Sequence, residues 1–271
     1  MTTLRGGLLF SALAGGLILA GCKQEAPAKV QPAASVHTAQ PVQAPPGSVA
    51  QTAPALPAAP LGPTGTISGV VSFEGTPPAP PPAPASTDPA CEGASRDETS
   101  VAVRDGKLAN VLVRISDAAV KAAGPGTPVV VRQKGCQYTP RVQGAVLGQA
   151  LSIQNQDPTL HNVHSYEDHR SLFNNAQPPG APAIVKPLPS TEGVVRVKCD
   201  VHPWMAAFVV VGHNPYFAVS DDAGHFEIPN VPPGKYTLEA WQESLGTKTA
   251  TVEVKAGQTA QASFQFRPAE K

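Results

Sequence analysis

The sequence predicts an all-β protein made of two small sandwiches behind a low-complexity N-terminal arm. Three observations lead there. Short stretches of alternating apolar and polar residues recur, with Gly, Pro, Asn and Asp between them. Helical periodicity is almost absent, and Asp117 to Ala123 is the one brief helix-like piece. The 31 prolines in 271 residues crowd into tracts that set a globular part apart from an arm.

From the N-terminus, Met1 to Arg5 carries one positive charge, Leu8 to Ala20 is apolar, and Leu19-Ala20-Gly21-Cys22 closes the stretch. That is the pattern of a secretory signal, too short to span a bilayer stably. From Lys23 to Thr64 the chain is mostly Pro, Ala, Gln and Ser, and no charged residue occurs between Val30 and Phe73. Such a segment cannot bury a core and reads as a disordered tether over residues 22–64. Folded structure is expected from Gly65. Thr66 to Phe73 alternates and stops at Gly75-Thr76-Pro77-Pro78, a strand and its breaker. A second proline tract leads to Cys91. Val101 to Arg104, the Asp105-Gly106 turn and Val111 to Ile115 read as a hairpin with a longer tail. Residues 129–132 and 141–153 add short strands. Val195 to Cys199 alternates and Ala206 to Val211 is an apolar run, so the residues between them form a loop joining two strands. Beyond Gly212 a meander follows, with turns at Asp221 to Gly224 and at Pro232-Pro233-Gly234.

The chemistry concentrates on that loop. Cys199-Asp200-Val201-His202-Pro203-Trp204-Met205 places thiolate, imidazole and thioether within seven residues, and Leu160-His161-Asn162-Val163-His164 supplies further imidazoles upstream. Soft sulfur ligands favour copper, and two His, one Cys and a weak axial Met form the donor set of blue-copper electron-transfer sites. Zinc takes more Cys or His and seldom Met. A nucleophilic reading of Cys199 with His202 lacks an acid placed to orient the imidazole, and metal binding would quench the thiolate. His164, His169, His213 and His225 read as surface or structural residues, and His37 lies in the tether.

The Cys-x-x-His-x-x-Met loop with its upstream His-Asn-Val-His resembles the copper loop of cupredoxins, the β-sandwich proteins of the plastocyanin and amicyanin type. The resemblance covers roughly residues 100–212 and implies a Greek-key sandwich holding one type 1 copper ion. It implies His161 as the buried imidazole, Cys199 as thiolate, His202 as the more exposed imidazole and Met205 as the axial ligand. Asn162 would hold the loop by hydrogen bonds, and Pro203 and Trp204 beside His202 would form an apolar docking patch. Trp204 departs from the smaller residue usual there, as does the polar stretch from Ser165 to Ser190. The pattern Asp221-x-x-Gly224-x-Phe226 with Pro232-Pro233-Gly234-x-Tyr236 resembles the carboxypeptidase regulatory-like domain, a transthyretin-like sandwich without catalytic residues. Such domains often open on a Gly-x-Val-x-Phe-x-Gly strand. Residues 65–75 fit that opening, which would make the copper module an insertion into the second sandwich. The divisions expected are 1–21 signal, 22–64 tether, 65–212 copper sandwich (65–75 alternatively with its neighbour) and 213–271 second sandwich.

Leu-Ala-Gly-Cys resembles a bacterial lipobox, which implies lipidation of Cys22 and a membrane anchor. Lys23, not Asp, follows it, which favours the outer membrane and a periplasm-facing protein in the cell envelope. With Cys22 lipidated and Cys199 on a metal, Cys91 and Cys136 remain for a disulfide in the oxidising compartment. Such a loop, about 45 residues long, would contribute roughly 3–4 kcal/mol. The alternative leaves Cys199 in a disulfide and another thiol free. The formal charge of zero and the lack of a basic run interleaved with aromatics argue against nucleic acid as a partner. The function this implies is single-electron transfer by a monomer to a redox protein such as a cytochrome or oxidoreductase, with no enzymatic activity of its own. Copper storage or delivery, or a cell-envelope interaction module, are the competing readings.

Overall fold

The computed structural model describes residues 62–80, 86–94, 100–117, 120 and 126–268. The signal, Cys22, the tether and most of the helix-like piece after Asp117 lie outside them.

The chain builds its strands in three stretches. The first gives β1 (Gly65–Phe73), β2 (Val103–Arg104), β3 (Lys107–Leu108) and β4 (Leu112–Ile115). The second gives β5 (Val129–Gln133), β6 (Tyr138–Thr139), β7 (Val142–Val146), β8 (Ala150–Asn155), β9 (His161–Glu167), β10 (Arg170–Gln177), β11 (Ile184–Pro187), β12 (Gly193–Lys198) and β13 (Ala206–Gly212). The third gives β14 (Phe217–Val219), β15 (His225–Val231), β16 (Gly234–Gln242), β17 (Gly246–Val254), β18 (Thr259–Gln261) and β19 (Phe264–Phe266). One turn of 3-10 helix, Pro89–Cys91, stands between β1 and β2. The protein is all-β.

The first and third stretches fold together. β1 runs antiparallel to β15 and parallel to β18 and β19, while β4 pairs with β14 and with β16. Alternate residues of β1 are buried. Ile67, Val71 and Phe73 enter a core with Val113, Phe226, Leu238 and Phe266, as a two-residue side-chain period requires. Gly69 of β1 has no room for a side chain, since a Cβ there would meet the Ala262 carbonyl oxygen at 1.5 Å. The middle stretch makes its own sandwich, one sheet ordered β10-β9-β12-β13-β7 and the other β11-β8-β5-β6. Val131, Ile153, Val163, Val195, Val197 and Val209 fill the space between these sheets.

Residues 101–115, which the sequence groups with the copper sandwich, pair instead with β1, β14 and β16. β4 is covered on both faces. Val113 and Ile115 enter the core shared with β1, while Leu112 enters a third cluster with Val142 and Val210, which Phe208, Phe217 and Trp241 flank. Arg114 strengthens this junction. It pairs with Glu239 on β16 at 2.7 Å and with Glu192 ahead of β12 at 2.5 Å. The whole middle stretch therefore leaves from β4 and returns to β14, two adjacent antiparallel strands.

Candidate metal centre

His161 opens β9, and the other candidate ligands sit on the loop from β12 to β13. Backbone bonds curl that loop on itself: the Cys199 N–H donates to the Met205 carbonyl (3.2 Å) and the Met205 N–H to the His202 carbonyl (3.0 Å). The curl turns Cys199 and His202 toward one point. There, His161 Nδ1 lies 3.0 Å from His202 Nδ1, and Cys199 Sγ lies 3.8 Å from His202 Nδ1. All three side chains are buried, and Met205 is buried in the same core. Among the described residues, their donor atoms form one of three groups able to hold a metal. The other two groups each contain a cysteine of the disulfide Cys91–Cys136.

Each imidazole is held from behind by a carboxylate. Asp157 Oδ2 lies 2.8 Å from His161 Nε2 and also accepts the Cys136 N–H at 2.9 Å, while its Oδ1 accepts the Gly135 N–H at 2.6 Å. Asp88 Oδ2 lies 3.1 Å from His202 Nε2 and accepts the Thr159 hydroxyl at 2.6 Å. The Thr159 hydroxyl above all, then the Ala90 N–H and His202, holds the Asp88 carboxyl below the usual range. Burial pushes His161 below an ordinary imidazole, against the pull of Asp157, and so favours its neutral form.

A carboxylate accepts at each Nε2, so in the neutral tautomer each Nε2 carries the proton and each Nδ1 offers its lone pair. Two lone pairs then face each other at 3.0 Å beside a thiol sulfur, an arrangement that a cation satisfies and a second acceptor does not. Two nitrogens about 2.0–2.1 Å from one ion at a tetrahedral angle lie about 3.3 Å apart, close to the spacing present. The donor set fits a metal ion.

The sulfur of Cys199 accepts the Asn162 N–H (3.3 Å) and the His202 N–H (3.4 Å). Asn162 Oδ1 in turn accepts the Asp200 N–H at 3.1 Å, which ties β9 to the ligand loop. Tyr138 donates to the Asn162 carbonyl at 2.6 Å. His164 points away from this centre, toward Asp200, Ser171 and Tyr166.

Two expectations need correction. His202 is not the exposed imidazole, being only 1% accessible, and Trp204 is equally buried. Of the imagined apolar patch only Pro203 reaches the surface. Trp204 instead packs against the His202 ring, tilted with centroids 5.1 Å apart, and donates its indole N–H to the Cys136 carbonyl at 2.9 Å. The physical cause is the segment 86–94, which lies across this side of the loop and is fastened by the disulfide Cys91–Cys136. Asp88 and Asp157 are the residues that sequence reasoning missed. Asp157 could have been noticed four residues ahead of His161. Asp88 comes together with His202 only through the fold, 114 residues apart.

A family model described as polysaccharide lyase family 4, domain II, matches residues 202–262. No curated protein sequence matches the chain. Among solved structures the chain is similar to a purple cupredoxin from Nitrosopumilus maritimus, with 21% identity over 31% of this chain and 99% of that one, at a TM-score of 0.28. It is similar to amicyanin from Paracoccus versutus, with 19% identity over 36% of this chain and 96% of that one, at a TM-score of 0.29. A copper-containing nitrite reductase from Thermus scotoductus is 19% identical over 37% of this chain, at a TM-score of 0.28, and only 27% of that enzyme's length is spanned.

Proposed function

We propose that this chain is a copper protein that carries single electrons between redox partners. His161, Cys199 and His202 serve as its ligands and Met205 as the weaker axial donor. One observation carries the reading: two imidazole lone pairs and one thiol sulfur, all buried, converge within bonding reach of a single ion. Bound copper would supply a one-electron couple between Cu(I) and Cu(II). The chain's own groups set the conditions. Asp157 and Asp88 fix the two ring orientations, and the N–H groups of Asn162 and His202 withdraw charge from the sulfur. A site held this firmly changes little between oxidation states, which suits electron transfer.

Storage or delivery, the competing reading, requires a ligand that an acceptor can reach, and none of the three donors is accessible. The same burial keeps the Cys199 sulfur from attacking a substrate, and we assign the chain no catalytic residue. From the lipobox-like Cys22 we further propose a lipid anchor on a membrane of the cell envelope, facing the periplasm, and a monomer that meets a cytochrome or oxidoreductase. The second sandwich, with its carboxypeptidase regulatory-like motif, serves as the scaffold for the metal sandwich.

The test is a Cu(II) titration of the full chain followed by visible absorption, beside Cys199→Ser. An intense charge-transfer band that saturates at about one equivalent, bleaches with reductant and vanishes in the variant is the expected result. Colourless binding of Cu(I) alone would shift the reading to storage. No binding in either state would end it.

A further inference from the structure

The Nε2 edge of His202 meets two groups, and both come from the segment 86–94. Asp88 Oδ2 lies at 3.1 Å and Cys91 Sγ at 3.4 Å. That segment is fastened twice. Asp88 also takes the Thr159 hydroxyl, just ahead of β9, and Cys91 is bonded covalently to Cys136. Cys136 is itself held fast. It follows Gly135 in a tight turn where both residues have positive φ, 61° and 54°. That conformation points two successive N–H groups at Asp157, the carboxylate behind His161. The Cys136 carbonyl takes the indole N–H of Trp204, whose ring packs at a tilt against His202. The turn at Cys136 thus serves the carboxylate behind His161 directly, and reaches His202 through Trp204 and the disulfide.

We propose that segment 86–94 is a pinned cover over the outer edge of His202, with Asp88 as the positioning residue of that imidazole and Cys91–Cys136 as the pin. The inference rests on reading His202 as a metal ligand and adds what governs access to it. A small ligand, a chelator or a partner's surface reaches His202 only when the cover lifts, and contact with a redox partner falls elsewhere on the metal sandwich. The carboxylate keeps the ring from turning, so the site stays assembled without an ion.

Acylation by diethyl pyrocarbonate, mapped by mass spectrometry on the metal-free full chain, tests this without copper. His225 and His213, which reach solvent, act as references, and His161 reports the integrity of the fold. His202 in the unaltered chain is expected to react far more slowly than His225. Asp88→Ala removes a hydrogen bond to a charged group and should speed the reaction about tenfold or more. The double variant Cys91→Ser, Cys136→Ser should do the same while His161 stays protected. If His161 also becomes reactive there, that variant has lost its fold and Asp88→Ala alone decides. His202 reacting as fast as His225 in the unaltered chain, or staying equally protected in Asp88→Ala, would overturn the proposal. In the copper-loaded protein, the rate at which a chromogenic Cu(I) chelator strips the metal should rise in the same variants. A chain that binds no copper but shows the predicted acylation pattern refutes the copper reading and leaves the cover standing.

Discussion

Replacing Asp157 by Ala removes a carboxylate with three partners, and the structure allows the cost to be worked out. Two are backbone N–H groups, from Gly135 at 2.6 Å and Cys136 at 2.9 Å; the third is His161 Nε2 at 2.8 Å. Hydrogen bonds to a charged group contribute about 1.5–3 kcal/mol each, so a plain sum over three would be about 4.5–9 kcal/mol. That sum overstates the loss, because the variant no longer has to desolvate a carboxylate. In the opposite direction, three donors are left without their acceptor around a buried ring, at about 1–3 kcal/mol each where water does not reach. The net expectation is a loss of about 3–5 kcal/mol in the metal-free chain. Asp157→Asn keeps one acceptor oxygen and should lose roughly half of that. Urea unfolding followed by tryptophan fluorescence reads it, since Trp204 is buried against the Cys136 carbonyl. The comparison is valid only if the slope with denaturant is unchanged. A loss below about 1 kcal/mol would mean that Asp157 does not hold the Cys136 turn and His161 together.

Three further outcomes follow from the same geometry. Gly69→Ala drives a methyl group into the Ala262 carbonyl and should cost at least about 1–3 kcal/mol in the sandwich built on β1; a variant as stable as the parent would contradict the pairing of β1 there. Breaking the Cys91–Cys136 link, whose partners are 45 residues apart, should lower stability by about 4 kcal/mol in urea, on the chain-entropy estimate. Burial raises the phenols of Tyr236 and Tyr216 above the ordinary 10.0. Each therefore ionises later in the folded than in the unfolded chain, and stability that is intact below pH 10 falls as the pH rises through the folded values. Tyr236→Phe should flatten this alkaline decline between about pH 9 and pH 11, and an unchanged slope would assign the decline to other groups.

Where the sequence is legible, the reason is locality. Alternation in Thr66 to Phe73 follows from one buried face, so both strand and core residues can be read directly. Cys199, His202 and Met205 share seven residues, and donor chemistry needs no fold to be recognised. β4 is hard to place for the opposite reason. Val111 to Ile115 is covered on both faces, so the alternation that would name its partner is missing. The burial of His202 and Trp204 depends on a segment that precedes them by more than a hundred residues. A carboxylate behind an imidazole leaves no period in the sequence, which is why Asp88 and Asp157 come into view only in three dimensions.

The adjacency of β4 and β14 has a consequence for a chain made from its N-terminus. Apart from β3, β1 finds its partners only when residues 225–266 follow, whereas the strands between residues 129 and 212 pair among themselves. The sandwich around the metal centre can therefore close while the scaffold that carries it is still incomplete. Among the described cysteines, Cys91 and Cys136 both emerge before Cys199, so their link can form before that thiol is available to compete. On the proposed reading of Cys199 as a metal ligand, the order of synthesis protects a thiol that has to stay reduced.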